Sequence, residues 1–483
     1  MNTNEIVQKL WNLCNILKDD GITYHQYVTE LTQLLFLKMA RETGTEEPIP
    51  QGLRWDSLTA LDGMAQFKHY KHCLLELGEC DDTLVAAIYG NAVTHIREPK
   101  HLSQLIDDID QLDWFGEQHD RDDLGDMYEG LLEKNASETK SGAGQYFTPR
   151  VLIDCMVRLM QPRLGESIQD PAAGTAGFLI ATERYLRRNN NFDTLSDGQY
   201  RFQQQKALLG MELVPETRRL ALMNCFLHGL GGSEAEIVKL GNTLSSEGRA
   251  LNMADLVLSN PPFGSKKGGG LPTRDDFPFP TSNKQLVFLQ HIYRSLVPGG
   301  RAAVVLPDNV LFEGGVGADI RRDLMHRCNL HTILRLPTGI FYAQGVKTNV
   351  LFFSKISDEA TDSTKEVWVY DLRANMPNFG KRTPLTREHF AEFEAAYAAG
   401  EGNRTHGART DQGETGRFRS FSRDWIRERG DSLDISWLKD DNAEDAADLP
   451  EPAVLAQEAM VELEGALDEL RAILEELGLE VEE

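Results

Sequence analysis

What this sequence lacks narrows its class first. No run among the 483 residues approaches 18 consecutive apolar positions, so no segment reads as a membrane span. The opening MNTNEIVQKL has no secretory-signal pattern, and the chain is expected in the cytoplasm. Cysteine is scarce: Cys14, Cys73, Cys80, Cys155, Cys225 and Cys328 are scattered, with no C-x-x-C pair. That spacing argues against a zinc site or a disulfide framework and for isolated buried thiols, so no metal site is expected. His69, His72 and His95 read as surface or packing histidines. A P-loop lysine after a glycine turn is absent, as are helicase and nuclease signatures.

Basic charge is also short. Lys and Arg number 50 against 75 acids, a net of −25. Such a balance excludes a surface that grips nucleic acid everywhere. Its distribution is uneven: residues 440–483 carry 16 acids and the single base Arg471, which leaves −10 for residues 1–439. Any polyanion must be met by a local basic patch or by a partner's charge.

What is present points to two or three domains, since 483 residues exceed one core. An apolar fraction of 41% is ordinary for a globular protein. Residues 1–135 read as mostly helical. Ile6, Leu10, Leu13 and Leu17 recur at helical spacing, Gly21 stops that helix, and Tyr24–Ala40 follows as a strongly apolar one. Further helical patterns fall at 74–77, 82–89, 102–112 and 122–134. The polar stretch NASETKSGAG (135–144) marks a boundary.

From Gln145 onward strands and helices alternate. Strands are expected at 167–170, 207–211, 237–240, 255–259, 301–306, 332–336, 349–354 and 366–371. Helices are expected at 151–160, with Thr148 as N-cap and Pro149 at its first position, and at 178–188, 215–227, 283–296, 317–325 and 387–399. The series describes an open α/β sheet. Residues 189–201 read as a polar insert and 400–418 as a disordered-looking Gly/Thr/Arg stretch.

Two strand ends carry the chemistry. Strand 167–170 runs into Asp170-Pro171-Ala172-Ala173-Gly174-Thr175-Ala176-Gly177, a small-residue turn opening a helix. Gly174, Ala176 and Gly177 let the backbone approach a ligand, and the helix N-terminus offers N–H groups. The match to G-x-G-x-x-G is poor, so a nucleoside without phosphates fits better than a dinucleotide. Glu212, ending the next strand, is placed to take ribose hydroxyls; its other reading is a helix N-terminal acid ahead of Pro215. Strand 255–259 ends in Asn260-Pro261-Pro262-Phe263. The Asn260 side-chain oxygen and the Pro261 carbonyl can each accept a hydrogen bond from one exocyclic amine, while Phe263 stacks on its ring. The alternative is a strand-terminating turn with an incidental aromatic. The following loop, 264–283, is Gly/Pro-rich and carries Lys266, Lys267 and Arg274; it reads either as an element that meets nucleic acid or as plain disorder. After Pro450 and Pro452, Met460, Leu463, Leu467, Leu470, Leu474, Leu477 and Val481 form a heptad seam with acidic flanks. That seam suits a helix partner with basic flanks, or folding back onto its own domain.

The order Phe147-Thr148-Pro149, Asp170–Gly177, Asn260–Phe263 resembles adenine-N6 DNA methyltransferases of the γ arrangement. With GITYHQYVTELTQLLFLKM, QYFTPR and QDPAAGTAGFLI it is similar, more closely, to the modification subunit of type I restriction-modification systems. The resemblance implies a Rossmann-like S-adenosylmethionine-dependent methyltransferase sheet with an all-helical N-terminal domain and a C-terminal helical tail, divided as 1–138, 139–430 and 431–483. It implies that Gln145, Tyr146, Phe147, Thr148, Pro149 and Arg150 close over the methionine end of S-adenosylmethionine. Gly174, Thr175 and Ala176 would line its cradle with Asp170 beside them, Glu212 would hold the ribose, and Asn242 would lie near the cofactor adenine. Asn260, Pro261, Pro262 and Phe263 would receive the target base. One departure is Gly241-Asn242-Thr243, where the family often has Asp at the middle position. The implied partners are duplex DNA, met through the complex, a specificity subunit with two copies of this chain, and a restriction/translocase subunit. Cytosine-C5 chemistry would need a Pro-Cys nucleophile, and the chain has none. Two rival readings remain: N-methylation of another planar amine, such as an RNA base or protein glutamine, and a non-catalytic assembly subunit.

Overall fold

The computed structural model describes residues 3–18, 21–112, 114, 121–138, 147–231, 236–263, 274, 276–341, 346–359, 361–377, 379–380, 383–397 and 409–439. The chain divides into two compact units. The first holds Met1–Arg373 and Pro377–Leu438, the second Ala374–Met376 and Lys439–Glu483. In the second unit the Asn375 side chain donates to the Lys439 carbonyl at 3.1 Å. The heptad positions 460–481 lie outside the described residues.

The first unit opens with seven helices: α1 (Thr3–Lys18), α2 (Tyr24–Glu42), α3 (Trp55–Thr59), α4 (Gly63–Gly78), α5 (Thr83–Tyr89), α6 (Pro99–Asp110) and α7 (Arg121–Glu138). Their starts follow from local chemistry. Thr23 and Gln26 form a capping box at α2, and the Asp82 carboxylate accepts from the Leu84 and Val85 amides at α5. Residues Tyr27–Ala40 of α2 are all buried, so this helix is the axis of the helical part. Two of its buried polar positions are satisfied internally: Tyr70 donates to Glu30 at 2.8 Å, and Thr32 pairs with Tyr128 at 2.8 Å.

The alternating half comprises α8 (Arg150–Met160), β1 (Ile168–Asp170), α9 (Gly177–Asn189), α10 (Asp197–Gln205), β2 (Leu208–Glu212), α11 (Pro215–Leu227), β3 (Val238–Leu240), β4 (Ala254–Ser259), α12 (Lys284–Ser295), β5 (Leu296–Pro307), α13 (Asn309–Phe312), α14 (Val316–Arg327), β6 (Cys328–Arg335), β7 (Thr348–Lys355), β8 (Glu366–Asp371), α15 (Ala391–Tyr397), β9 (Phe418–Ser422) and α16 (Arg423–Glu428). The strands form one nine-stranded sheet in the order β3-β2-β1-β4-β5-β7-β6-β8-β9. Strands β1 to β5 run parallel, and β7 lies antiparallel between β5 and β6. The central strands β4, β5 and β7, buried along most of their length, read as near-continuous runs of Ala, Val, Leu and Phe over 256–258, 302–306 and 350–353. On one face Leu286, Leu289, Ile292, Ile320 and Leu324 pack against Val257, Val304, Ile333 and Leu351. Removing one such leucine side chain would cost about 2–5 kcal/mol.

The chain runs outward through β1, β2 and β3, then returns to place β4 on the other side of β1. The carboxyl ends of β1 and β4 therefore flank the crevice where the sheet's winding reverses, the usual ligand position in open α/β folds. Ile168 pairs with Leu256 and Gln169 with Val257, which brings Asp170 level with the end of β4.

Three expectations need correction. Helix α8 begins at Arg150 with Pro149 as N-cap and no side-chain cap, because the Thr148 hydroxyl is occupied elsewhere. The polar insert contains α10, begun by a Ser196/Gln199 capping box. The stretch 400–418, read as disordered-looking, ends in the first residue of β9, an edge strand paired to β8, whose Phe418 is buried; its residues 400–408 lie outside the described residues. The six cysteines are unbridged, five buried and Cys80 partly so, and burial pushes the thiols of Cys73, Cys225 and Cys328 up to about 12.

Candidate active site

The turn after β1 is built for close approach. Gly174 has φ +53°, and a Cβ added there would meet nothing within 4 Å, so the turn opens onto space at that point. Ala176, at φ +65°, caps α9 in the left-handed conformation and directs the first amides of a 13-residue helix toward the turn. The Ala173 amide donates to Met211 O at 3.0 Å, and the Asn224 side chain donates to Thr175 O at 2.9 Å. The cradle is thus held from β2 and α11.

Glu212 ends β2 beside that cradle. Its carboxylate accepts from the Gly174 amide at 3.0 Å and from the Val214 amide at 2.8 Å. A carboxylate has about four lone-pair positions, so acceptor capacity remains for a ribose hydroxyl. Burial raises its pKa, while the Val214, Gly174 and Leu213 amides pull it back down. Asp170, at 1% exposure, sits deeper. Its Oδ1 accepts from the Ser259 hydroxyl at 2.7 Å and from the Ala172 amide at 3.1 Å, yet burial pushes the carboxyl up to about 7. Asn242 lies in the turn after β3; its Oδ1 accepts from the Leu244 amide at 2.9 Å, closing a local Asx turn. An open glycine turn, a helix N-terminus and a carboxylate at the neighbouring strand end fit the adenosyl and methionyl parts of S-adenosylmethionine.

Across the crevice, Asn260 follows β4, half-buried, with Pro261 buried. Its Nδ2 donates to Thr148 Oγ1 at 2.9 Å, joining two segments 112 residues apart. In this orientation the amide turns its amino group to Thr148 and its oxygen away from it. Gln285, in the first turn of α12, donates to Pro262 O at 3.4 Å. Phe263 meets Phe341 edge to face, with centroids 6.1 Å apart. The structure therefore brings Thr148 and Asn260 together, with Asp170 linked to Ser259 and Glu212 to Gly174. Arg150 points instead to α7, where it pairs with Glu129. Gln145 and Tyr146 lie outside the described residues, as do Lys266 and Lys267.

The family description N-6 DNA Methylase matches residues 119–440, and the description Type I restriction enzyme methylase subunit, C-terminal domain, matches 449–482. The Type I restriction enzyme EcoKI methylase subunit of Escherichia coli (strain K12) is 55% identical, over 99% of this chain and 96% of its own. The chain belongs to this family. The crystal structure of the EcoKI M protein aligns over 99% of this chain and 97% of its own, with TM-score 0.57 and 49% identity. A structure concerned with complex assembly and conformational transition of the type I R-M system aligns over 99% of both chains, with TM-score 0.72 and 26% identity.

Several further residues of this methylase subunit border the candidate site without having been expected to do so. Thr243 donates to Pro171 O at 2.6 Å, tying the turn after β3 to the cradle. Arg274 donates to Thr243 O at 3.3 Å, contacts His291 Nδ1 at 2.9 Å and pairs with Asp276. His291 is held neutral, its pKa lowered to about 3 by burial and the Arg274 charge. Asn224, Ser259 and Phe341 are likewise visible only once the fold brings them in. The sequence places Thr243 in the Gly241-Asn242-Thr243 turn and Arg274 in the basic loop, while Ser259 and Asn224 show only as polar positions in apolar segments.

Proposed function

We propose that this methylase subunit transfers the methyl group of S-adenosylmethionine to N6 of adenine in duplex DNA, with Asn260, Pro261, Pro262 and Phe263 receiving the base. The observation that carries this reading is the Thr148–Asn260 hydrogen bond at the crevice where β1 and β4 diverge. It presents the amide oxygen of Asn260 as an acceptor for an exocyclic amine. The cofactor would supply an electrophilic sulfonium methyl, held by Gly174, Thr175, Ala176, Asp170 and Glu212, with Asn242 on its adenine side and Phe147–Arg150, preceded by Gln145 and Tyr146, bordering the methionine end.

Adenine N6 is a poor nucleophile because its lone pair is delocalised into the ring. Hydrogen bonds from its two N–H groups to Asn260 Oδ1 and the Pro261 carbonyl favour a tetrahedral nitrogen and aim that lone pair. Rate then comes from positioning and from exclusion of water, not from a strong base. The methylated nitrogen is acidic enough to lose its proton readily. The target atom lies inside a duplex, so the base must leave the stack, and Phe263 with Phe341 at its edge offers the receiving surface.

Type I methylase subunits work within restriction-modification complexes. For this chain the finer arrangement is proposed: residues 1–138 as a helical domain, 139–430 as the catalytic domain and 431–483 as the docking tail, with two copies per specificity subunit and a restriction subunit joining them. Transfer of labelled methyl to duplex DNA by the assembled complex tests the reaction. Asn260→Ala should abolish it while cofactor affinity stays within a few-fold, since the amide acts on the transition state. Survival of kcat within a factor of ten overturns the assignment, and transfer to RNA or protein instead would favour the rival substrate.

A further inference from the structure

A buried charge cluster lies behind the cofactor turn. Asp126, Glu129 and His228 place one donor atom each within 4.8 Å of one another, a spacing a metal ion can use. Here two guanidinium groups answer the carboxylates instead. Arg184 of α9 pairs with Asp126 at 2.6 Å, and Arg150, the first residue of α8, pairs with Glu129. His228, capping the end of α11, approaches Glu129 at 3.6 Å. The site on α7 is shaped for this: a Cβ on Gly125 would stand 2.3 Å from the His228 ring. One helix of the N-terminal part therefore holds the start of α8, the body of α9 and the end of α11.

Arg150 is the informative member. Its Nη1 lies 3.6 Å from where a Cβ on Gly177, the first residue of α9, would stand. A cation at a helix N-terminus meets the positive end of the helix dipole and is disfavoured there. Burial acts in the same sense and lowers the Arg150 pKa to about 10. Glu129, 6% exposed, is the carboxylate paired with the guanidinium, and Asp154 and Asp126 add further opposing charge. Two residues before Arg150 stands Thr148, which holds the Asn260 amide.

We propose that Glu129 is a positioning residue for methyl transfer: by seating Arg150 against α7 and the start of α9, it fixes the Phe147–Arg150 segment so that Thr148 can orient Asn260. The inference rests on Asn260 being the residue that receives the amine. Cradle residues 173–176 are held by their own backbone and side-chain bonds to β2 and α11, so loss of Glu129 should act on turnover more than on cofactor affinity.

Hydrogen exchange on the full-length chain reads this coupling without any turnover. Glu129→Gln should speed exchange in peptides spanning 147–153 at least tenfold while peptides from α4 stay unchanged. In the assembled complex kcat should fall at least tenfold, with the S-adenosylmethionine dissociation constant moving less than threefold. If the single substitution leaves too little folded chain, Glu129→Leu with Arg150→Met removes both charges together; this pair should fold and protect 147–153 more than Glu129→Gln does. Unchanged exchange at 147–153, or a loss of activity that only tracks the folded fraction, overturns the proposal. If instead Asn260→Ala proves fully active while the exchange result holds, the seating stands and the assignment of Asn260 fails.

Discussion

Replacing Asp170 by Asn turns the most perturbed carboxyl of the cradle into a measurable pH effect. An acid whose folded pKa is raised prefers to be neutral in the fold. Its penalty is absent below the unfolded value of 3.8, grows as pH rises, and is complete above the folded value of about 7. The full penalty is on the order of 4 kcal/mol, of which roughly 3 develops between pH 4.5 and pH 8. Asn keeps an oxygen for the Ser259 hydroxyl and the Ala172 amide, which the Asp170 Oδ1 now accepts at 2.7 and 3.1 Å. Its new buried NH2 group costs about 1–3 kcal/mol if unmatched. The variant should therefore be less stable than the parent near pH 4.5 and more stable near pH 8. Urea unfolding of both proteins across that range, followed by tryptophan fluorescence, gives the difference. The difference is the right quantity because Glu212, Glu183 and Glu30, also raised by burial, contribute equally to both proteins apart from the coupling of Glu212 to Asp170. A difference flat with pH, or one that falls as pH rises, refutes the reasoning.

Three further outcomes are expected. Glu212→Ala should weaken cofactor binding by roughly 1.5–3 kcal/mol, the scale of hydrogen bonds to a charged group; an unchanged calorimetric dissociation constant would leave Glu212 as a helix N-terminal acid only. Thr148→Val, which deletes the acceptor for Asn260 Nδ2, should lower kcat about tenfold, a loss of about 1.4 kcal/mol, with recovery in Thr148→Ser; equal activity of the two variants would separate Thr148 from catalysis. Deleting residues 453–483 should abolish co-purification with the specificity subunit yet leave cofactor binding intact, and full stoichiometry in the truncated complex would show that the heptads are not the docking element.

The strands that frame the site were legible because burial on both faces gives short apolar runs that end sharply. Asp255–Ser259 and Glu366–Asp371 were placed to within a residue, and Pro215–Leu227 matched its helix. The motifs mark strand ends, so their convergence followed from the topology of a parallel sheet. What was not legible depends on pairs distant in sequence. Thr148 preceding a proline is an ordinary N-cap signal, and only the fold shows its hydroxyl turned to Asn260 instead. Strand β9 hid because Phe418-Arg419-Ser420-Phe421-Ser422 is short and polar. Its aromatic and arginine side chains stack instead of forming an apolar run, with Arg419 5.7 Å from the Trp437 ring. Arg150 gave no sign that its partner would be an acid on a helix 21 positions earlier.

The placement of cations bears on how this methylase meets DNA. At the carboxyl ends of the sheet, Arg373 is paired with Asp308 at 2.8 Å, Arg335 with Asp371 at 2.9 Å, and Arg274 is taken by Asp276 and His291. These guanidinium groups brace the loops around the crevice, and each is answered by protein. Phosphate contacts supply most of the affinity of DNA-binding proteins, through release of counterions by Lys and Arg. Cations already paired with carboxylates contribute less to that release, and a net charge of −25 opposes approach. Among the described residues, these three rim arginines therefore brace the crevice that we propose holds base and cofactor. That commitment, with the net charge of −25, favours the proposal that grip and sequence choice come from the assembled complex.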